Sequence, residues 1–143
     1  MADIVHDFPV AVDATRVFEA LSTPDGLNHW WTARCTGTPR VGAEYELGFG
    51  PGEDWRAEVI WYERDREFEL EMIDADEDWR STRVGFSLAG TPGGTHVQFR
   101  HTRWSEVNDH FRRSSYCWAM YLRLLVRFLE HGEHVRYEDR LRA

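Results

Sequence analysis

Between Arg34 and Arg103 the apolar residues of this chain recur at every second position, and that period is fixed to extended strands. The runs are Tyr45, Leu47 and Phe49; Trp55, Ala57, Val59 and Trp61; Phe68, Leu70 and Met72; Thr82, Val84, Phe86 and Leu88; and Val97, Phe99 and His101. Between them stand Gly50-Pro51-Gly52, the charged corner Glu63-Arg64-Asp65-Arg66, the acidic bend Asp74 to Asp78, and Gly90 to Gly94. Links this short join antiparallel neighbours, so the segment predicts a curved meander with one apolar side and with Glu67, Glu69 and Glu71 on the wet side. That glutamate row also discourages association at the sheet edge.

The period changes at both ends. Asn108 to His131 has helical spacing, with Phe111, Ser115, Trp118, Leu122, Leu125 and Leu129 on one stripe, Arg123, Arg127 and Glu130 opposite, and Gly132 as the C-cap. Such a helix is about 36 Å long, enough to cross the sheet and cover its apolar side. Upstream, residues 3 to 9 alternate weakly and end at Pro9, as an edge strand does. Asp13 caps a short helix bearing Val17, Phe18 and Leu21, and Thr23 with Pro24 opens a second. The predicted class is therefore α+β: a curved antiparallel sheet of about seven strands around a long C-terminal helix, with two short helices after the first strand. Residues 1–143 read as one domain, and the polar tail after Gly132 reads as loosely held.

A net charge of -8 opposes binding to nucleic acid or anionic lipid. All 17 basic side chains are arginine, which removes Schiff-base chemistry but leaves fixed forks for a carboxylate, and which fits the coding bias of a GC-rich bacterium. Arg123 and Arg127 interrupt the longest apolar stretch, so no span of a membrane is expected. Cys35 and Cys117 match no metal or redox spacing, and Met1-Ala2-Asp3-Ile4 shows neither a basic nor an apolar leader; a cytoplasmic protein with reduced thiols is expected. His131 and His134 straddle the capping glycine without a third ligand nearby, so no metal site is read there. No phosphate loop, nucleophile elbow or catalytic carboxylate pair is present, and no cofactor is expected.

The order strand, two helices, six-strand meander and long helix resembles the helix-grip fold of the START-like, or SRPBCC, superfamily, also called Bet v-like. It is most similar to the activator of heat shock protein 90 ATPase-like branch. The residues that carry the resemblance are Val17 to Pro24 leading to Trp30-Trp31, Gly94 to His101, Trp118, and Phe128 to Gly132. The family pattern usually places Gly before the tryptophan of the last helix, where this chain has Cys117. The resemblance implies a cavity between the concave sheet and the last helix, used across the superfamily for small apolar or aromatic molecules.

The 7 Trp, 8 Phe and 5 Tyr suit such a pocket as well as a core. Adjacent indoles on a helix point about 100° apart, so one of Trp30 and Trp31 is expected in the core and the other toward a ligand. The expected lining is Trp30, Trp31, Tyr45, Trp61, Phe68, Leu70, Met72, Phe86, Phe99, His101, Arg103, Ser115, Trp118, Tyr121 and Leu122. Arg103 continues the His101 phase toward a ligand carboxylate at the mouth. His101 reads either as a satisfied structural histidine or, with Tyr121, as the proton-transfer pair of an enzyme of the polyketide cyclase or dehydratase type. The main expectation is a non-catalytic binder of a small hydrophobic or aromatic molecule, monomeric or homodimeric. The alternatives are that enzyme, or a co-chaperone-like module that stimulates a heat-shock ATPase.

Overall fold

The computed structural model describes residues 1–143. Strand β1 (Ala2–Val10) is followed by helices α1 (Ala14–Ser22) and α2 (Pro24–Leu27). Strands β2 (Arg34–Thr36), β3 (Glu44–Gly48), β4 (Asp54–Glu63), β5 (Glu67–Asp74), β6 (Arg83–Thr91) and β7 (Gly94–Trp104) come next, then helix α3 (Asp109–His131) and a short 3₁₀ helix over Tyr137–Arg142. The strands form one curved antiparallel sheet of seven, ordered β1-β7-β6-β5-β4-β3-β2, so β1 crosses back to pair with the last strand. The fold is the helix-grip arrangement of α+β class anticipated from the periodicity.

Local chemistry sets the ends of the helices. The Asp13 side chain accepts from the Arg16 amide at 2.9 Å, and Thr23 Oγ1 accepts from the Gly26 amide at 3.0 Å. Asn108 accepts from the Phe111 amide at the start of α3, and Gly132 closes it at φ 69°, a left-handed conformation that glycine adopts without strain. At Gly26 no side chain fits: a Cβ would lie 2.6 Å from the Ala20 backbone, and this close approach folds α2 onto α1.

Helix α3 covers the concave face, where Trp118 meets Phe99 at a ring-centroid distance of 4.5 Å. The core beneath includes Tyr45, Phe68, Leu70, Met72, Phe86, Phe99 and Leu122, all buried. On the convex face the glutamate row forms an ion-pair lattice. Arg100 donates to Glu69 at 3.0 Å and to Glu67 at 3.2 Å, and Arg83 donates to Glu71 at 3.1 Å.

Two bulges change the phase expected from strict alternation. In β4 the register slips between Val59 and Trp61, so Trp61 stands opposite Glu69 on the convex face, 54% exposed, while Tyr62 turns inward opposite Phe68. In β7 an extra residue lies opposite the Ala2/Ile4 step of β1, and Arg103 takes φ 69°. Arg103 therefore points outward near Glu71, 3.8 Å away, and Trp104 takes the buried position.

The tail after Gly132 is anchored, contrary to its polar composition. Arg140 is buried and donates to the carbonyls of Asn28 (2.7 Å), Val135 (2.9 Å) and Thr32 (3.1 Å). Its guanidinium ties the tail's own Val135 carbonyl to those of Asn28 and Thr32 in the turn after α2.

Candidate functional site

Trp30 and Trp31 lie in the turn after α2 rather than on a helix, and both are buried. Trp30 is fully buried, donates from Nε1 to the Ala20 carbonyl at 3.0 Å and packs edge-on against Phe86. Trp31 faces a cleft of about 560 Å³, open on one side, between the first half of α3 and the bend joining β5 to β6. The cleft is lined by Trp31, Asp78, Trp79, His110, Arg113, Ser114, Cys117, Trp118 and Tyr121.

Its apolar wall belongs to a closed circuit of aromatic rings. Going round from Trp31, the centroid distances are 5.4 Å to Phe49, 5.0 Å to Trp55, 5.2 Å to Trp79, 5.8 Å to Trp118 and 5.1 Å back to Trp31. Trp79 and Trp118 are nearly parallel, at 21°. Rings packed on one another in this way are rigid, and little of their surface is exposed: 3% of Trp31, 8% of Trp79 and 1% of Trp118.

Behind that wall lies a chain of hydrogen bonds that fixes Trp118 and His101. The indole Nε1 of Trp118, a donor only, gives its proton to His101 Nδ1 at 3.0 Å. Nδ1 is thereby the acceptor, and Nε2–H donates to Thr82 Oγ1 at 2.8 Å; that hydroxyl donates onward to the Trp79 carbonyl at 2.5 Å. Burial, reinforced by the nearby His110, lowers the pKa of His101 to about 3. Both ring nitrogens are in use, so His101 holds Trp118 and Trp79 in place and has no lone pair left for a substrate.

The remaining polar groups face the cleft itself. Ser114 Oγ accepts from Trp79 Nε1 at 3.2 Å. His110 Nδ1 lies 3.0 Å from Asp78 Oδ2, while Asn108 Nδ2 approaches the other Asp78 oxygen at 3.4 Å. Trp104 packs edge-on to His110 at 5.6 Å, and its own indole N–H is buried without a partner. Tyr121 stays protonated: burial first, then the neighbouring Tyr137, pushes its pKa up to about 12. Burial also raises the Cys117 thiol, an effect that Arg113 opposes.

Of the residues expected to line the pocket, Trp31, Trp118 and Tyr121 face this cleft. Tyr45 donates to the Ser22 carbonyl at 2.5 Å inside the core, and Phe68, Leu70, Met72, Phe86, Phe99 and Leu122 are core residues beneath or beside α3. Trp61 and Arg103 lie on the convex face because of the bulges. Ser115 is displaced by its neighbour: four residues before Trp118 stands Ser114, and it is Ser114 that turns to the cleft. The same step, carried back to His110, places His110, Ser114, Cys117, Trp118 and Tyr121 on one helix face. Asp78 and Trp79 were hidden in what reads as a solvated acidic bend; a tryptophan amid such charge is the one sign that the bend folds inward. Cys117, standing where a glycine is usual, lines the cleft without interrupting α3. His131 lies at the end of α3, whereas His134 meets His29, with the two Nδ1 atoms 3.1 Å apart.

The family model described as activator of Hsp90 ATPase homolog 1-like protein matches residues 11–130. The sequence matches no curated protein at a significant level. Among solved structures, the Aha1 dimer from Colwellia psychrerythraea is similar at 28% identity, with a TM-score of 0.84 over 93% of this chain and 99% of that one. A protein from Staphylococcus saprophyticus is similar at 18% identity and a TM-score of 0.80, covering 94% and 96% of the two chains. CalU16 from Micromonospora echinospora is similar at 18% identity and 0.76, covering 98% and 81%. The two structures at 18% identity share the fold.

Proposed function

Because the chain belongs to the activator of Hsp90 ATPase homolog 1-like family, within the START-like superfamily, we propose that it binds a small, planar, mostly apolar or aromatic molecule in the cleft between α3 and the β5–β6 bend. The observation that supports this reading is the cleft of about 560 Å³ at whose edge the rigid, buried cluster of Trp31, Trp79 and Trp118 is held from behind by His101. At the level of the family this is the fold of ligand-binding or polyketide cyclase-like domains. Binding without turnover is favoured over the cyclase reading that uses His101 and Tyr121. His101 has both nitrogens engaged, and Tyr121 is a weak acid.

Burying about 200 Å² of apolar ligand surface at roughly 25 cal/mol/Å² supplies about 5 kcal/mol, from which the cost of association is subtracted. Affinity for a purely apolar guest is therefore modest. The test is tryptophan fluorescence during titration with a neutral bicyclic aromatic such as 2-methoxynaphthalene. The wild type responds saturably, and Trp31→Ala weakens the response. A panel of flat aromatic compounds that leaves the emission unchanged would overturn the proposal.

A homodimer is the assembly proposed, on the likeness to the Colwellia psychrerythraea dimer, and sedimentation equilibrium checks it. No helix is long and apolar enough to cross a membrane, and the two cysteines are free, which supports placement in the cytoplasm. Stimulation of a heat-shock ATPase is the competing family reading; it predicts a measurable rise in that ATPase rate on adding this protein.

A further inference from the structure

The cleft contains one polar arrangement that the binding of an apolar guest does not use. Asp78 Oδ2 lies 3.0 Å from His110 Nδ1, which fixes the imidazole ring and makes Nδ1 the protonated nitrogen. The other nitrogen, Nε2, has no hydrogen-bond partner in the chain, and His110 is on the cleft wall together with Trp79, Trp118 and Arg113. Asp78 is itself held from its other oxygen by Asn108, the residue that caps α3, so bend and helix are locked in one geometry. An oriented imidazole with a free lone pair, beside flat apolar walls and within the same cleft as a guanidinium, calls for a guest that brings a proton on oxygen.

We propose that His110, positioned by Asp78, is the proton-accepting anchor of the cleft, and that the guest is an aromatic molecule bearing an acidic hydroxyl, a phenol or an enol. On binding, the ligand O–H bond breaks and an Nε2–H bond forms, while the electron pair stays on the ligand oxygen. The resulting imidazolium lies between the Asp78 carboxylate and the ligand oxyanion, and Arg113 supplies the second positive charge. A carboxylate guest fits less well, since it arrives already ionised, brings no proton for Nε2 to accept, and adds its charge to that of Asp78. The charged and titratable groups around His110 are Asp78 from the bend, His101 from β7, and Asp109, Arg113, Cys117 and Tyr121 from its own helix; His101 is kept neutral by its burial, with His110 adding to the effect.

This inference rests on the cleft being a binding site, and the probes separate the two. 7-Hydroxycoumarin carries the acidic hydroxyl; 7-methoxycoumarin has the same rings without it. At a pH about one unit below the free phenol's own midpoint, the wild type binds both, and bound hydroxycoumarin shows the phenolate absorption band. In His110→Gln the bound phenol reverts to the neutral spectrum and binds about tenfold more weakly, a loss larger than that of methoxycoumarin. Asp78→Asn, which keeps the shape of the side chain, shifts the spectrum the same way. Binding of both probes with the phenol neutral in the wild type would overturn the dyad and leave the cleft as a binding site. A phenolate band that persists in His110→Gln would assign ionisation to Arg113 alone, and overturn the dyad too. Failure of both probes to bind a wild type with a native circular dichroism spectrum would remove the binding reading and the dyad together.

Discussion

At the scale of single residues, His101 has a stability signature that a catalytic histidine in open solvent lacks. Alternation along β7 correctly placed it on the apolar side, but alternation says nothing about partners. The structure supplies them: an indole donor on Nδ1 and a threonine acceptor on Nε2. Folding lowers its pKa from 6.5 to about 3, so below about pH 6.5 the unfolded chain binds a proton that the native state refuses. The stabilisation that depends on neutral His101 is complete above that pH. It is lost as pH falls from 6.5 toward 3, at about 1.4 kcal/mol for each tenfold rise in proton concentration. Urea unfolding of the wild type and His101→Gln between about pH 4.5 and 7.5 measures it: the advantage of the wild type at the upper end shrinks steadily on acidification. A constant difference would mean that folding leaves the pKa of His101 where it is in the unfolded chain. The cysteines give a second expectation at this scale. Burial pushes the Cys35 thiol up to about 12 and raises Cys117 less, so both react more slowly with a disulfide reagent at neutral pH than a free thiol does, with Cys35 the slower. Cys117 is the one modified first, and a bound aromatic ligand protects it.

At the scale of elements, most of the chain was legible because the period of its apolar residues switches cleanly and its helix ends carry conventional caps. Asp13, Thr23, Asn108 and Gly132 mark those ends in the sequence and in the structure alike. The bulges were not legible. Neither the Val59/Trp61 step nor Arg103 carries a glycine to announce a break, and one inserted residue sends every later side chain of the strand to the other face. The tail was misread for a related reason. Its composition is that of a solvated segment, and only the geometry of three backbone carbonyls converging on Arg140 makes it an anchor. Because no carboxylate shares the burial of Arg140, its removal leaves carbonyls without donors and no charge to compensate. Arg140→Ala is expected to cost about 2–3 kcal/mol and to open the segment after Gly132 to protease. Arg140→Lys recovers less than half of this, since an ammonium cannot span three carbonyls in a planar fork. Urea midpoints together with limited proteolysis decide the matter; unchanged cleavage in Arg140→Ala would show that Tyr137 and its neighbours hold the tail by packing alone.

Across the whole molecule, the sheet and α3 close tightly where Trp118 meets Phe99 and separate where α3 faces the β5–β6 bend. The core and the cleft are therefore two ends of one helix–sheet interface. The resemblance implies a cavity along that interface, and the expected lining includes Tyr45, Phe68, Leu70 and Met72, which the structure buries in the core; buried aromatics of a core and of a pocket have the same sequence pattern. What separates them is the acidic bend, which brings Trp79 and Asp78 over the beginning of α3 and leaves about 560 Å³ unfilled beneath. Unfilled space lined by indoles forfeits dispersion contacts that a solid core would make, so the arrangement gives up stability to keep the cleft open. Cys117 is the place to reverse that exchange. It lines the cleft, makes no side-chain hydrogen bond, and lies inside α3 on the face that carries Ser114 and Trp118. Cys117→Phe is expected to fill the space, raise stability by about 1 kcal/mol and weaken a bicyclic aromatic ligand by at least about tenfold. Thermal unfolding and the fluorescence titration, run on the same preparation, read both effects. If Cys117→Phe binds the ligand as the wild type does, the guest is held elsewhere, and the indole wall is only the open end of a core.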